Sequence, residues 1–365
     1  MPIDRRLFLT SALAAPMLLS ARRAQAAPRF EPMVRGLQTP FGLAFLPGGG
    51  LLITERDTGV LHVRADGGKQ RLKGVPEAVT RGQGGYMDIV AARDFARSRR
   101  LWLTWSKPLA GGGTGTALSA ARLSADGAAL EDVRTLFEMA QAGSGTRHFG
   151  SRVVEAPDGM LFLAIGDRGE DARAQDLGSH HGKILRLTPG GAPAPGNPFA
   201  GRAGARAEIW SYGHRNPQGM ALDSRGGLWA VEHGAKGGDE VNRIRKGANY
   251  GWPVISYGVH YSGRRIGEGT ARAGMEQPAH YWDPSMAPSG MMIYSGRLWP
   301  QWRGHIFIGS LKFDYISRLS GEDLTESERI ESGETRRVRD VREAPDGSIW
   351  FLSEGRRAAY RMVPG

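Results

Sequence analysis

The chain has 365 residues, with 53 glycines, 21 prolines and no cysteine, so disulfide staples are excluded and stability must come from packing or bound metal. The formal charge is +11, but the arginines are dispersed, without a basic helix or an aromatic–basic RNA motif, so nucleic acid is not expected as a partner. Glycine and proline punctuate the whole length, and short apolar runs between turn signals outnumber helical patterns, which points to an all-β protein.

The first element is a targeting segment. "DRRLFLTSALAAPMLLSARRAQA" combines Arg5–Arg6, Phe8–Leu9, an apolar stretch and a small-residue site at Ala24-Gln25-Ala26. This predicts a Tat-type signal peptide over residues 1–26, cleaved near Ala26, and one domain over 27–365. The stretch is too short and interrupted for a membrane span, so a periplasmic or secreted protein is expected, not an integral membrane one. Residues 1–26 carry four arginines and one aspartate, leaving about +8 on the rest.

A repeat follows. A small or polar residue, an apolar run, a turn and a second apolar run recur at 40–55, 85–105, 150–166, 216–232, 289–312 and 340–354. The six copies start about 45 to 75 residues apart, room for four strands each. The expected fold is a six-bladed β-propeller of four-stranded antiparallel blades, a ring that protects its sheet edges. The competing all-β reading is a sandwich with coincidental turns.

Each pair of runs should form the two inner strands of a blade, with residues equidistant from the turn facing each other. About "APDG" (156–159), His148 then meets Asp167. Similar counting pairs Arg215 with Gly234 and, roughly, Arg339 with Glu354; Lys312 follows the second run of copy five and Gln83 precedes the first run of copy two. All fall on one rim, which collects a candidate base, its acid and several cations, including Arg337. Such a bowl suits an anionic ligand. A lone histidine is more often a satisfied surface or core residue; the constellation reverses that preference.

These strings resemble those of the soluble quinoprotein aldose sugar dehydrogenases, relatives of soluble glucose dehydrogenase that use pyrroloquinoline quinone (PQQ). "GQGGYMDIV" (82–90), "HFGSRVV" (148–154), "AIGDRG" (164–169), "GKILRL" (182–187), the long "YGHRNPQGMALDSRGGLWAVEHGAKGGDEVNRIRKGANYGWP" (212–253), "MAPSGMMIYSG" (286–296), "GSLK" (309–312) and "RVRDVREAPDG" (337–347) agree in order over nearly the whole mature chain. The resemblance implies His148 as base toward the anomeric hydroxyl and Asp167 as the acid that holds it. It implies PQQ contacts at Gln83, His148, Arg215, Asn216, Lys312, Arg337 and Arg339, with Tyr261 packed on the flat cofactor. It also implies one Ca²⁺ held by main-chain carbonyls of Gly234 and Ala235, and a second at Glu240 and the carbonyl of Tyr250. The blander readings are a solvated charge for Arg337, simple packing for Tyr261 and a capping or salt-bridging role for Glu240.

The implied activity is oxidation of an aldose at C1 to the lactone, with electrons passed to an unidentified acceptor such as a periplasmic cytochrome or quinone, by a monomer or dimer. Two alternatives are a Ca²⁺-dependent lactonase, which needs carboxylates around a central metal where this rim is cationic, and a non-catalytic binding propeller, which retention of His148, Arg215, Asn216 and Lys312 disfavours. The chain departs from glucose-preferring relatives in having Arg147, not an acid, before the base. Several loops are short. Glu354 stands where aspartate is common; it could reach a cofactor-contacting arginine or simply end a strand.

Overall fold

The structure is a computed structural model that describes residues 27–143 and 145–365; the expected signal peptide lies outside the described residues. Six four-stranded antiparallel sheets form six blades of a β-propeller. The innermost strands are Pro40–Phe45, Tyr86–Ala91, Val153–Glu155, Pro217–Leu222, Pro288–Ile293 and Val338–Glu343, one from each repeat copy. No helix among the described residues is long and apolar enough to cross a membrane.

Burial of both sheet faces explains how the ring holds. Each blade buries both faces against its neighbours, so strands such as Leu51–Glu55, Leu161–Ile165 and Ile349–Ser353 are buried throughout. Six apolar clusters fill the six gaps between blades. One joins Leu43, Leu51 and Ile53 of the first blade to Trp350, Leu352 and Ala359 of the last. The repeat pattern does not reveal how the ring closes. Arg29–Arg35 pairs antiparallel with the C-terminal strand Ala358–Val363, so the start of the described chain completes the sixth blade.

The turns refine the register. At "APDG" the Ala156 amide bonds to the Met160 carbonyl and Gly159 takes φ +80°, a three-residue turn ending in a left-handed glycine. The ladder is Val153↔Leu163, centred on Asp158, half a residue from the midpoint used in the sequence count, which shifts each pairing by one residue. Strict continuation would set His148 opposite Arg168. The chain leaves the ladder first: His148 (φ 55°), Gly150 (φ 65°) and Ser151 (φ 88°) turn left-handed, which returns His148 to Asp167. The other five inner strands carry a register shift near the same end, as between Pro217 and Gly219. Bulges there re-aim side chains into the mouth of the ring.

Candidate active site

The bulged ends surround a cavity of about 850 Å³ at the axis. Its wall includes Phe41, Gln83, Asn216, His233, Lys312, Arg337 and Arg339, with Asp314 as an acid among them. His148 is buried beside it, and its Nδ1 lies 2.6 Å from Asp167 Oδ1. Asp167 also accepts from the Gly169 amide at 2.7 Å and from Trp252 Nε1 at 2.8 Å. Burial acts to raise the Asp167 pKa, but the histidine, the Gly169 amide and the charge of Arg215 outweigh it and hold the carboxyl below its ordinary value. An ionised Asp167 therefore accepts Nδ1–H and leaves Nε2 as the free acceptor. Burial is the largest influence on His148 and pushes its pKa down; Asp167 opposes, and the charges of Arg215 and Arg147 assist. Burial thus favours the neutral imidazole.

The backbone beneath is clamped. Gln83 Oε1 accepts the His148 amide at 2.7 Å. Arg168 is fully buried, stacks 3.4 Å above Phe149, and donates to the carbonyls of Arg147 and Gly145. Gly166 has to be glycine, because a Cβ there would strike the His148 carbonyl. Lys183 pins the next loop by donating to the carbonyls of Arg173, Ala174 and His181, although burial lowers its pKa to about 7.

The cations differ in their partners. Arg339 is buried and bonded to Glu354 Oε2 at 2.9 and 3.1 Å, while Arg337 lies 3.5 Å from Glu354 and is half exposed. Glu354 thus reaches the arginines and does more than end a strand. Arg215 is buried over Trp252, bonds the His233 carbonyl, and has no partner for Nε among the described residues. Lys312 is exposed above the Phe313 ring, 4.7 Å from its centre. A buried guanidinium without a carboxylate, beside a large cationic cavity, is the donor set that a flat tricarboxylate such as PQQ would use.

A second cavity, of about 10 Å³, adjoins the first at His233 and is lined by Arg215, Glu232, Gly234, Glu240 and Tyr250. It has room for one small centre. Burial and the nearby Glu232 both raise the Glu240 pKa; Asn242 bridges the two acids, donating to each at 3.1 Å. Two carboxylates pressed together, with Glu240 in no ion pair among the described residues, suit a hard divalent ion. Glu232 is also the partner of His214. The 234–238 turn is tight enough that a Cβ on Gly234 would meet the Gly237 and Gly238 carbonyls, and Asp239 clasps it by accepting from the Gly234 and Ala287 amides and Ser285. Ala235, within this turn, is buried.

The rim therefore brings together Gln83, His148, Asp167, Arg215, Asn216, Lys312, Arg337 and Arg339. Tyr261 stands apart: it is 76% exposed and outside the cavity wall, though near enough to Arg215 to act on it electrostatically. Sequence reasoning missed Trp252, which lies 85 residues from the Asp167 it holds, along with His233 and Asp239. The "NYGWP" string was legible; its contact across the ring was not.

Residues 37–361 match the glucose/sorbosone dehydrogenase family. The Escherichia coli aldose sugar dehydrogenase YliI is 45% identical over 325 residues, 87% of this chain and 88% of that protein. A crystal structure of the soluble aldose sugar dehydrogenase of E. coli in its apo form superposes with TM-score 0.89 at 43% identity, covering 93% of this chain and all of the other. The PQQ-bound aldose sugar dehydrogenase of Streptomyces coelicolor does so with TM-score 0.75 at 29% identity, covering 92% and 98%. With a family match across most of its length and relatives this similar, the chain belongs to the glucose/sorbosone dehydrogenase family.

Proposed function

We propose that the protein is a PQQ- and Ca²⁺-dependent aldose sugar dehydrogenase that oxidises the C1 hydroxyl of an aldose to the lactone. The observation that carries this reading is a neutral, carboxylate-oriented histidine beside a cavity that also holds an unpaired buried arginine. Arg215, Asn216, Lys312, Arg337 and Arg339 would hold the PQQ carboxylates and quinone edge; the Gly234 and Ala235 carbonyls would face the cofactor's Ca²⁺, and Glu240 with the Tyr250 carbonyl a second ion. When bound, PQQ supplies the acceptor for the hydride leaving C1, with Ca²⁺ as Lewis acid.

The chain's own residues do the rest. His148 Nε2 takes the C1 hydroxyl proton, so the sugar loses one proton and one hydride, the balance of a lactone. Asp167 fixes the ring tautomer and stabilises the imidazolium that forms. Trp252 and the Gly169 amide keep that carboxylate from rotating. Export through the Tat route, to the periplasm or beyond, belongs to the same proposal.

Reconstitution is the test. Purified protein is incubated with PQQ and CaCl₂, and aldose-dependent reduction of an artificial dye is followed with a panel of sugars. Turnover that requires PQQ and disappears on chelation is expected. No PQQ binding by absorbance, together with no aldose turnover, would overturn the reading.

A further inference from the structure

Arg147 stands next to the proposed base, yet nothing so far gives it work. Its side chain is exposed on the rim. Its backbone is not free to wander: the carbonyl is taken by the buried Arg168, and His148 after it is held by Gln83. Its guanidinium lies over the turn that carries Asp167, with Nε 2.9 Å from where a Cβ on Gly169 would sit. It is close enough to depress both His148 and Arg215 electrostatically. It forms no ion pair among the described residues; of the two acids on that turn, Asp167 is engaged by His148, Trp252 and the Gly169 amide, and Glu170 is paired with Arg173. A cation is thus rooted beside the base, on the solvent side, with no ion-pair partner among the described residues.

We infer that Arg147 is a specificity-determining residue, selecting aldoses that carry an anionic group away from C1, such as a uronic acid or an aldose phosphate. This rests on the dehydrogenase reading above. A sugar whose C1 hydroxyl meets His148 Nε2 projects its far substituents toward the rim, and an arginine side chain rooted next to the base is long enough to follow the ring. A carboxylate or phosphate there would gain a charge-assisted, two-pronged partner. Arg215 and Arg339, deeper in the structure, are left to the cofactor.

Holoenzyme is assayed by dye reduction at low ionic strength with glucose, glucuronate and glucose 6-phosphate, for the natural chain, Arg147→Gln and Arg147→Glu, with PQQ binding followed separately by absorbance. The expected result is a higher kcat/KM for at least one anionic sugar than for glucose. That ratio falls about tenfold in R147Q, falls further in R147E, and shrinks as salt is added. The sugar that responds identifies the anion. A ratio equal in all three proteins overturns the inference, as does loss of PQQ binding in R147Q, which would give Arg147 to the cofactor. Turnover of glucose in the natural chain keeps the two readings separate: it upholds the dehydrogenase whatever becomes of Arg147.

Discussion

Two clusters of charge lie near the propeller axis, and they are built in opposite ways. Below the cavity, Asp88 and Asp340 enclose Arg152, all essentially without exposure. Arg342 bonds both acids at 2.9 Å, and Arg152 reaches the Gln218 and Arg339 carbonyls. The Val153 amide takes the other oxygen of Asp88, and the Leu43 amide shares Asp340 Oδ2 with Arg342. This network links the inner strands of the first, second and sixth blades to the third and fourth, and each charge is answered within the chain. On the rim above, Arg215, Lys312 and Arg147 form no ion pair among the described residues, and of these Arg215 is buried. A buried charge left unpaired is costly, so an unanswered one beside a cavity marks a ligand's place, whereas a closed network marks architecture.

Single substitutions should separate the two clusters. The largest effect is expected for His148→Ala: kcat falls about 10²- to 10⁴-fold in the dye assay, with PQQ binding, read by absorbance, largely kept. A near-normal kcat would remove His148 from the base role. Next, Arg152→Met leaves Asp88 and Asp340 short of a buried cation and should lower unfolding stability by about 3–5 kcal/mol in a urea titration. By contrast Arg215→Met removes an unpaired charge and should cost little stability; PQQ affinity instead drops by about 1.5–3 kcal/mol, measured by titration of the apo protein. If Arg215→Met unfolds the protein and Arg152→Met does not, the distinction between the clusters is wrong.

A smaller effect concerns pH. The His148 pKa is depressed by burial, so the base is already neutral below its ordinary range near 6.5. Activity should be flat around pH 7 and fall only as acid protonates the imidazole. Asp167 raises that pKa, so Asp167→Asn should move the acid limb to still lower pH while reducing kcat. A limb that moves upward would contradict the Nδ1–Asp167 geometry. Smallest of all, Trp252→Phe removes one of the three donors to Asp167 and should cost about 1 kcal/mol in kcat/KM.

Much of this was legible because hairpins are local. Apolar runs about a turn specify two paired strands, and six copies specify a ring, so His148, Asp167, Arg215 and Arg339 could all be placed on one rim. The paired positions came out close even where the pairing was one residue off, since the left-handed backbone at His148 and Ser151 makes up the difference. What stayed hidden was long-range: the hold of Trp252 on Asp167, the Asp239 clasp, and the partners of Arg152, 64 residues from Asp88 and farther still from Arg339. Arg339 and Arg215 look alike as residues in a string, yet one is answered by Glu354 and the other by no acid.

By itself the sequence determined the blade pattern, the number of blades and the chemistry available at the mouth, because short apolar runs and turn chemistry act over a few residues. Only the tertiary structure decided which charges are neutralised, how the ring closes through Arg29–Arg35, and where the bulges turn the rim inward. Those outcomes depend on which distant groups share a low-dielectric interior, a property of the assembled ring.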